Sequence, residues 1–414
     1  MENKLEHEYS LIFIAILIGL LVGGLSLLYA EVVESLSNFL YRKAINSYYI
    51  LLLPPLGGII IGFLLQFETL SARGHGIPAI METIETKKVN FTSLDLWIEG
   101  FASALTIGTG GSAGRIGPVV EIGAGLGDLL GQKLNYSLDL YRTMLGCGAA
   151  AGIAAIFNAP LGGIMFVIEI LYKRLEIKRL SLIVISSISA DALVRNIMGY
   201  NTIFSIPEFF LNSPWEYLLY MVLGVLMALM GYLLVKMLIL VTHFFEGLKI
   251  PFWLKPAIGG LLIGIAGYQF PQILGTGINI TNLVLNKEFN IYLLITLCIL
   301  KMIMTVITLG SGGSGGIFAP TLLIGASGGI LFGQLMHHII PQIVITPTSF
   351  GIVGMTALIG GVIQAPLTSV LIIFELTKNY GLMIPLLLAS GISSIIFKKL
   401  SKESIYSPDL FHRL

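Results

Sequence analysis

The stretch 106–132, TIGTGGSAGRIGPVVEIGAGLGDLLGQ, returns 202 residues later as 308–334, TLGSGGSGGIFAPTLLIGASGGILFGQ. Fourteen of the 27 positions are identical, among them Gly111, Ser112, Gly114 and Pro118 against Gly313, Ser314, Gly316 and Pro320. Two further pairs keep the same order. FNAPLGGIMFVIE (157–169) shares its Ala-Pro-Leu and closing Glu with IQAPLTSVLIIFE (363–375), and GHGI (74–77) answers GTGI (275–278). Self-similarity at a nearly constant offset marks a repeated architecture. The chain therefore reads as a short segment 1–10, two homologous halves at 11–200 and 213–400 with a linker at 201–212, and a tail at 401–414.

The setting is a bilayer. Of 414 residues 55% are hydrophobic and only 11% charged, where a soluble domain carries about 25% charge; the mean hydropathy is +0.89. A net charge of +1 argues against a basic nucleic-acid surface. A spanning helix needs about 20 apolar residues, and Leu11–Ala30, Tyr49–Leu65, Leu180–Met198, Trp215–Val241, Trp253–Phe270, Ile291–Leu309 and Gly381–Phe397 are the long candidates. Between them lie glycine-interrupted pieces (116–132, 142–157, 161–172, 317–334, 351–363, 366–376) that read as too short to span and too apolar for loops. The run after MENKLEHEYS lacks a small-residue cleavage site, which makes it a first membrane helix, not a signal peptide. Cys147 and Cys298 sit in apolar runs and read as buried thiols; no metal and no cofactor is expected. The clusters Lys173-Arg174…Lys178-Arg179 and Lys398-Lys399…Lys402 place those loops and both chain ends in the cytoplasm by the positive-inside rule. No soluble domain is expected beyond the last apolar run.

Broken helices are tolerated at membrane depth only where they are buried in protein or line a cavity. Paired breaks in two halves of a chain point to a binding site near the midplane. A half-helix that starts inside the membrane presents unpaired N–H groups and about half a positive charge. Two such ends aimed at one spot hold an anion without any Lys or Arg. The competing reading, that the glycines serve only close helix packing, fits a single G-x-x-x-G better than duplicated blocks.

These residues resemble the chloride channels and chloride/proton exchangers called CLC. The family's G-[KR]-E-G-P appears as Gly114-Arg115-Ile116-Gly117-Pro118, its G-x-F-x-P as Gly316-Ile317-Phe318-Ala319-Pro320, and its G-S-G-I-P as Gly74-His75-Gly76-Ile77-Pro78. The SIY of 404–406 resembles the stretch that carries the family's pore tyrosine. The resemblance implies an all-α integral membrane fold of two inverted-topology repeats with tilted and broken helices. It also implies transport of chloride or a similar small monovalent anion, and a homodimer with one pathway per subunit. Carried over by position, the anion would meet the backbone of Ile317 and Phe318, the Ile116–Gly117 turn, and the side chains of His75 and Tyr406. No counterpart of the regulatory cytoplasmic domains known in the family is expected here.

The departures are informative. The family's gating Glu, which competes with the anion and carries the exchanged proton, is Ile116 here. The second Glu of its F-x-I-E-E segment, an internal proton station, is Ile170 in Phe166-Val167-Ile168-Glu169-Ile170. Passive, channel-like conduction is the expectation. His75 replaces a serine; an imidazole titrates near neutrality, so it either donates to the anion or rests neutral on a backbone carbonyl. Rival readings are proton exchange by an unusual route through His75 or Glu121, and a pathway plugged by Ile116 through dewetting. Glu169 and Glu375 close matching segments and are expected to cap or pair with neighbouring backbone. Arg115 either attracts anions or pairs with a carboxylate, and Lys301 either snorkels or raises the positive potential of the pathway. An intramembrane serine hydrolase is a remote alternative: GGSAG (110–114) and GGSGG (312–316) both satisfy G-x-S-x-G, and His337-His338 are adjacent. A catalytic serine has no need to occur twice, so no enzyme activity is expected.

Overall fold

Proline at the first helical turns and left-handed residues at the ends set the helix boundaries. Pro sits at the start of six of the helices below, where its missing N–H costs nothing. The computed structural model describes every residue except 1, 46, 68–75, 87–91, 135, 174–178, 200–202, 205, 207–208, 210, 212, 288, 342–345, 402–403 and 407–414. Its described residues form sixteen α-helices and no strand. The first eight are α1 (Glu2–Ser37), α2 (Leu53–Leu64), α3 (Ile77–Thr86), α4 (Ser93–Gly108), α5 (Ile116–Lys133), α6 (Leu138–Phe157), α7 (Pro160–Phe166) and α8 (Leu180–Met198). The second eight repeat the order: α9 (Trp215–Gly247), α10 (Lys255–Gln269), α11 (Ile278–Asn286), α12 (Ile291–Gly310), α13 (Phe318–Ile339), α14 (Pro347–Ile363), α15 (Pro366–Thr377) and α16 (Met383–Leu400). The linker expected at 201–212 falls largely outside the described residues.

The shifts in repeat offset have structural causes. α13 is four residues longer than α5, 22 against 18, about one helical turn, and the offset steps from 202 to 206 across it. α7 continues as a π-turn over Val167–Tyr172, which holds one residue more than the regular α15 opposite. Asn158 and Gln364 end α6 and α14 at φ 51° and 54°, and Lys173 and Lys378 end the π-turn and α15 at 53° and 51°.

Glycine–backbone contacts give the directions of the helices. Gly19 of α1 faces Ser186 and Gly23 faces Ala190 of α8, so these two run the same way. Gly224 of α9 faces Ala389, and Gly231 packs near Phe397 of α16, again in the same sense. The connecting stretch lies against the start of α16, where Gly381 meets the Phe209 carbonyl. The second half thus runs inverted to the first. The tightest crossings are α5 on α6, Gly123 against Gly148, and α13 on α14, Gly325 against Gly354.

Two expectations change in detail. α1 begins at Glu2, so residues 2–10 are the first turns of the helix that crosses at Glu8–Arg42. Leu138–Phe157 and Phe318–Ile339 are long and apolar enough to span, whereas α2 and α10 are too short. Glycine and alanine lower the hydropathy of α6, yet 94% of its apolar window is buried inside the protein, where small residues serve packing and not lipid contact.

Candidate functional site

The two signature loops meet head to head. The Gly114 N–H donates to the Gly316 carbonyl at 2.6 Å and the Gly316 N–H returns to the Gly114 carbonyl at 2.7 Å. Close approach requires the glycines: a Cβ on Gly114 would lie 3.0 Å from the Gly316 carbonyl oxygen, and Gly315 holds φ 144°. The bridge sets the starts of α5 and α13 beside each other, and neither N-cap, Arg115 or Ile317, makes a side-chain capping hydrogen bond. Their first N–H groups lack intrahelical partners, and their dipoles favour negative charge at this point. Ile116, Ile317 and Phe318 are all buried. Gly117 faces Gly316, and the Phe318 ring packs on Phe157 at 5.3 Å between centroids. Tyr406 is buried as well, in a segment fixed by the Ile405 N–H donating to the Val362 carbonyl at 3.2 Å.

Hydroxyls brace the first loop: the Ser112 N–H donates to Thr308 Oγ1 at 3.0 Å and Ser112 Oγ pairs with Thr305 Oγ1 at 2.9 Å. The second loop is braced differently, with Ser314 Oγ donating to Glu99 Oε1 at 2.6 Å. The repeat places Glu99 opposite Lys301, so the two halves carry opposite charges at equivalent helix positions. Glu99 escaped the sequence reading; its partner is 215 residues away, and only its offset of 202 from Lys301 marks it.

His75 lies outside the described residues. Its neighbour Gly76 is described, and a Cβ there would stand 4.0 Å from Glu121 Oε2, which places the buried Glu121 carboxylate beside that loop. Ile170 is buried within the π-turn. Glu169 and Glu375 do cap backbone, and they do so reciprocally across the repeat. Glu375 accepts from the Leu161 and Gly162 N–H groups at 3.2 and 2.8 Å, and Glu169 from those of Leu367 and Thr368 at 3.2 and 2.7 Å. Lys301 does not snorkel. It is fully buried and donates to the Ile273 and Gly275 carbonyls at 2.8 and 2.6 Å. Arg115 makes no ion pair among the described residues. The hydrolase arrangement is not assembled: Ser314 meets a carboxylate, and His337 and His338 end α13, about 30 Å along its axis.

Comparison with known proteins agrees with this fold. The family model described as voltage gated chloride channel matches residues 57–398. The "Putative chloride channel protein ClcB-like" of Ralstonia nicotianae is 33% identical over 361 residues, 86% of this chain and 84% of the relative. The H(+)/Cl(-) exchange transporter ClcA of Vibrio cholerae is 30% identical over 427 residues, 99% of this chain and 91% of that one. Among solved structures, a slow cyanobacterial Cl-/H+ antiporter superposes with a TM-score of 0.90 at 26% identity, covering 97% of each chain.

Proposed function

The chain belongs to the voltage gated chloride channel family, and from that premise we propose that it conducts chloride or a similar small monovalent anion passively through the junction of α5 and α13. The observation that carries the reading is a pair of uncapped helix starts held together by the Gly114–Gly316 bridge, with an aliphatic side chain at position 116. Backbone N–H groups of Ile116, Gly117, Ile317 and Phe318, with Tyr406 and His75, bind the anion. Ile116 neither ionises nor mimics an anion, and Ile170 removes the inner proton station. Each subunit of a homodimer carries its own pathway. The C-terminus is cytoplasmic.

Proton exchange is the second reading. Related proteins carry exchanger names, and the buried Glu121 beside Gly76 is a candidate carrier on this chain. Purified protein in chloride-loaded liposomes, with potassium and valinomycin setting the potential, separates the two when efflux and internal pH are recorded together. Fast efflux without uphill proton movement is expected. Stoichiometric proton pumping sinks the passive reading and moves the search to Glu121 and His75. No efflux in wild type, restored by Ile116→Ala, establishes a plug.

A further inference from the structure

The repeat predicts a second polar approach to the site, on the face opposite the start of α1. His75 in GHGI corresponds to Thr276 in GTGI, so whatever the first loop offers on one side the second offers on the other. At that place the structure holds a cavity of about 40 Å³, between the end of α1 and the starts of α5 and α11, lined by Glu34, Tyr41, Arg42, Arg115, Thr276 and Asn279. That volume admits a small anion, since about 10–15 Å³ on this measure is enough to hold one water.

The charges in and around it are unevenly satisfied. Arg42 is paired with Glu34 across the cavity mouth. Arg115 Nε is buried and has no hydrogen-bond partner among the described residues. A buried unpaired donor of this kind is costly unless something else accepts from it. α11 starts here too, with Gly277 as its N-cap at φ 81° and the Thr276 hydroxyl oxygen accepting from the Ile278 N–H at 3.4 Å. The Lys301 ammonium lies directly beneath: it holds the Gly275 carbonyl, and a Cβ on Gly277 would come within 3.4 Å of its Nζ. An arginine with an unpartnered donor, a helix start and a hydroxyl meet at one polar cavity, with Lys301, bound to two backbone carbonyls, behind its wall.

We propose that this cavity is an outer anion-docking site, in which Arg115 and Thr276 bind a small monovalent anion before it reaches the Ile116–Gly117 turn. The inference rests on the anion-transport reading and deepens it. Arg115 takes the anion by a charge-assisted hydrogen bond, which is about twice as strong as a neutral one. Glu34 stays neutralised by Arg42, so the cavity keeps a net positive charge.

Crystals grown in bromide read the site directly. An anomalous peak within hydrogen-bond reach of Arg115 and Thr276 is expected in wild type. It should be lost in Arg115→Gln and weakened in Thr276→Val, while bromide at the Ile317–Phe318 turn persists in both as the check on folding. In liposomes the half-saturating chloride concentration should rise about five- to tenfold in Arg115→Gln and about twofold in Thr276→Val. A peak at Ile317–Phe318 with none in the cavity overturns the docking site and leaves the transport reading standing. A cavity peak in a protein that moves no chloride keeps the site and removes transport. Peaks at neither place remove both.

Discussion

At position 116 an isoleucine in place of a carboxylate changes the charge at the spot an anion would occupy. The side chain is buried beside two helix starts, so a carboxylate placed there would accept from the same N–H groups and compete with the ligand. Ile116→Glu is therefore expected to cut chloride efflux at neutral pH by at least about tenfold, the order of one lost charge-assisted interaction. Efflux should recover as pH falls toward about 5, where a buried glutamate takes up a proton and becomes neutral. Protonation removes the competing charge, so the expected slope is activation by acid. Efflux of the variant that stays flat between pH 8 and 5 would mean that residue 116 lies off the pathway. The same scale shows what a linear sequence hides. Ile116 and Phe318 were legible because each sits in a short local signature. Glu99 was not, because its bond to Ser314 joins α4 to a loop in the other half, and no periodicity in α4 announces it.

Helices here are held by two devices that differ in how far they can be read ahead. The glycines that form the α5–α6 and α13–α14 crossings were visible as a repeated pattern, and the structure supplies their partners. A Cβ on Gly148 would run into the Gly123 carbonyl, which is backbone and cannot turn aside. Gly148→Ala should lower the yield of folded protein severely, whereas Gly391→Ala on α16, with nothing within 4 Å of its Cβ position, should leave yield and thermal stability unchanged or slightly raised. Equal effects of the two would show that the crossing is looser than drawn. The carboxylate caps were anticipated only in kind. Sequence placed Glu169 and Glu375 at matching ends, but that each caps the other half's helix follows from the antiparallel seating of α7 on α15. Glu169→Ala and Glu375→Ala should each cost about 1–2 kcal/mol of stability, as lost caps do. The Gln variants, which keep an acceptor, should cost less. The caps are about seven residues apart along α15, or about 10 Å, so the double variant should be additive to within about 0.5 kcal/mol; a markedly smaller sum would mean that one cap forms only when the other does. Where the element reading went astray, at α6 and α13, length was judged from hydropathy, and a buried glycine-rich helix scores low for the reason that lets it pack.

Inversion of the two halves ties the orientation of the whole molecule to a few surface positions. α1 and α8 run in parallel, so Arg179, at the start of α8, belongs on the side where α1 starts. α9 runs from the opposite side and α16 with it, which returns Lys398 and Lys399 at the end of α16 to that same side. Lys43, just beyond the end of the α1 span, then lies on the other face together with Arg42 and the proposed docking cavity. With these two basic features on one side, the positive-inside rule predicts that side to be cytoplasmic. Both native cysteines are buried, so single-cysteine reporters can be read over a low background. In intact cells, Lys43→Cys should react with a membrane-impermeant maleimide, and Lys399→Cys should react only after permeabilisation. The reverse pattern would turn the molecule over and make the cavity at Arg115 a cytoplasmic entrance. Labelling of both positions in intact cells would point to dual insertion. That outcome would mean that the few clustered lysines and arginines near the helix ends set too weak an orienting bias.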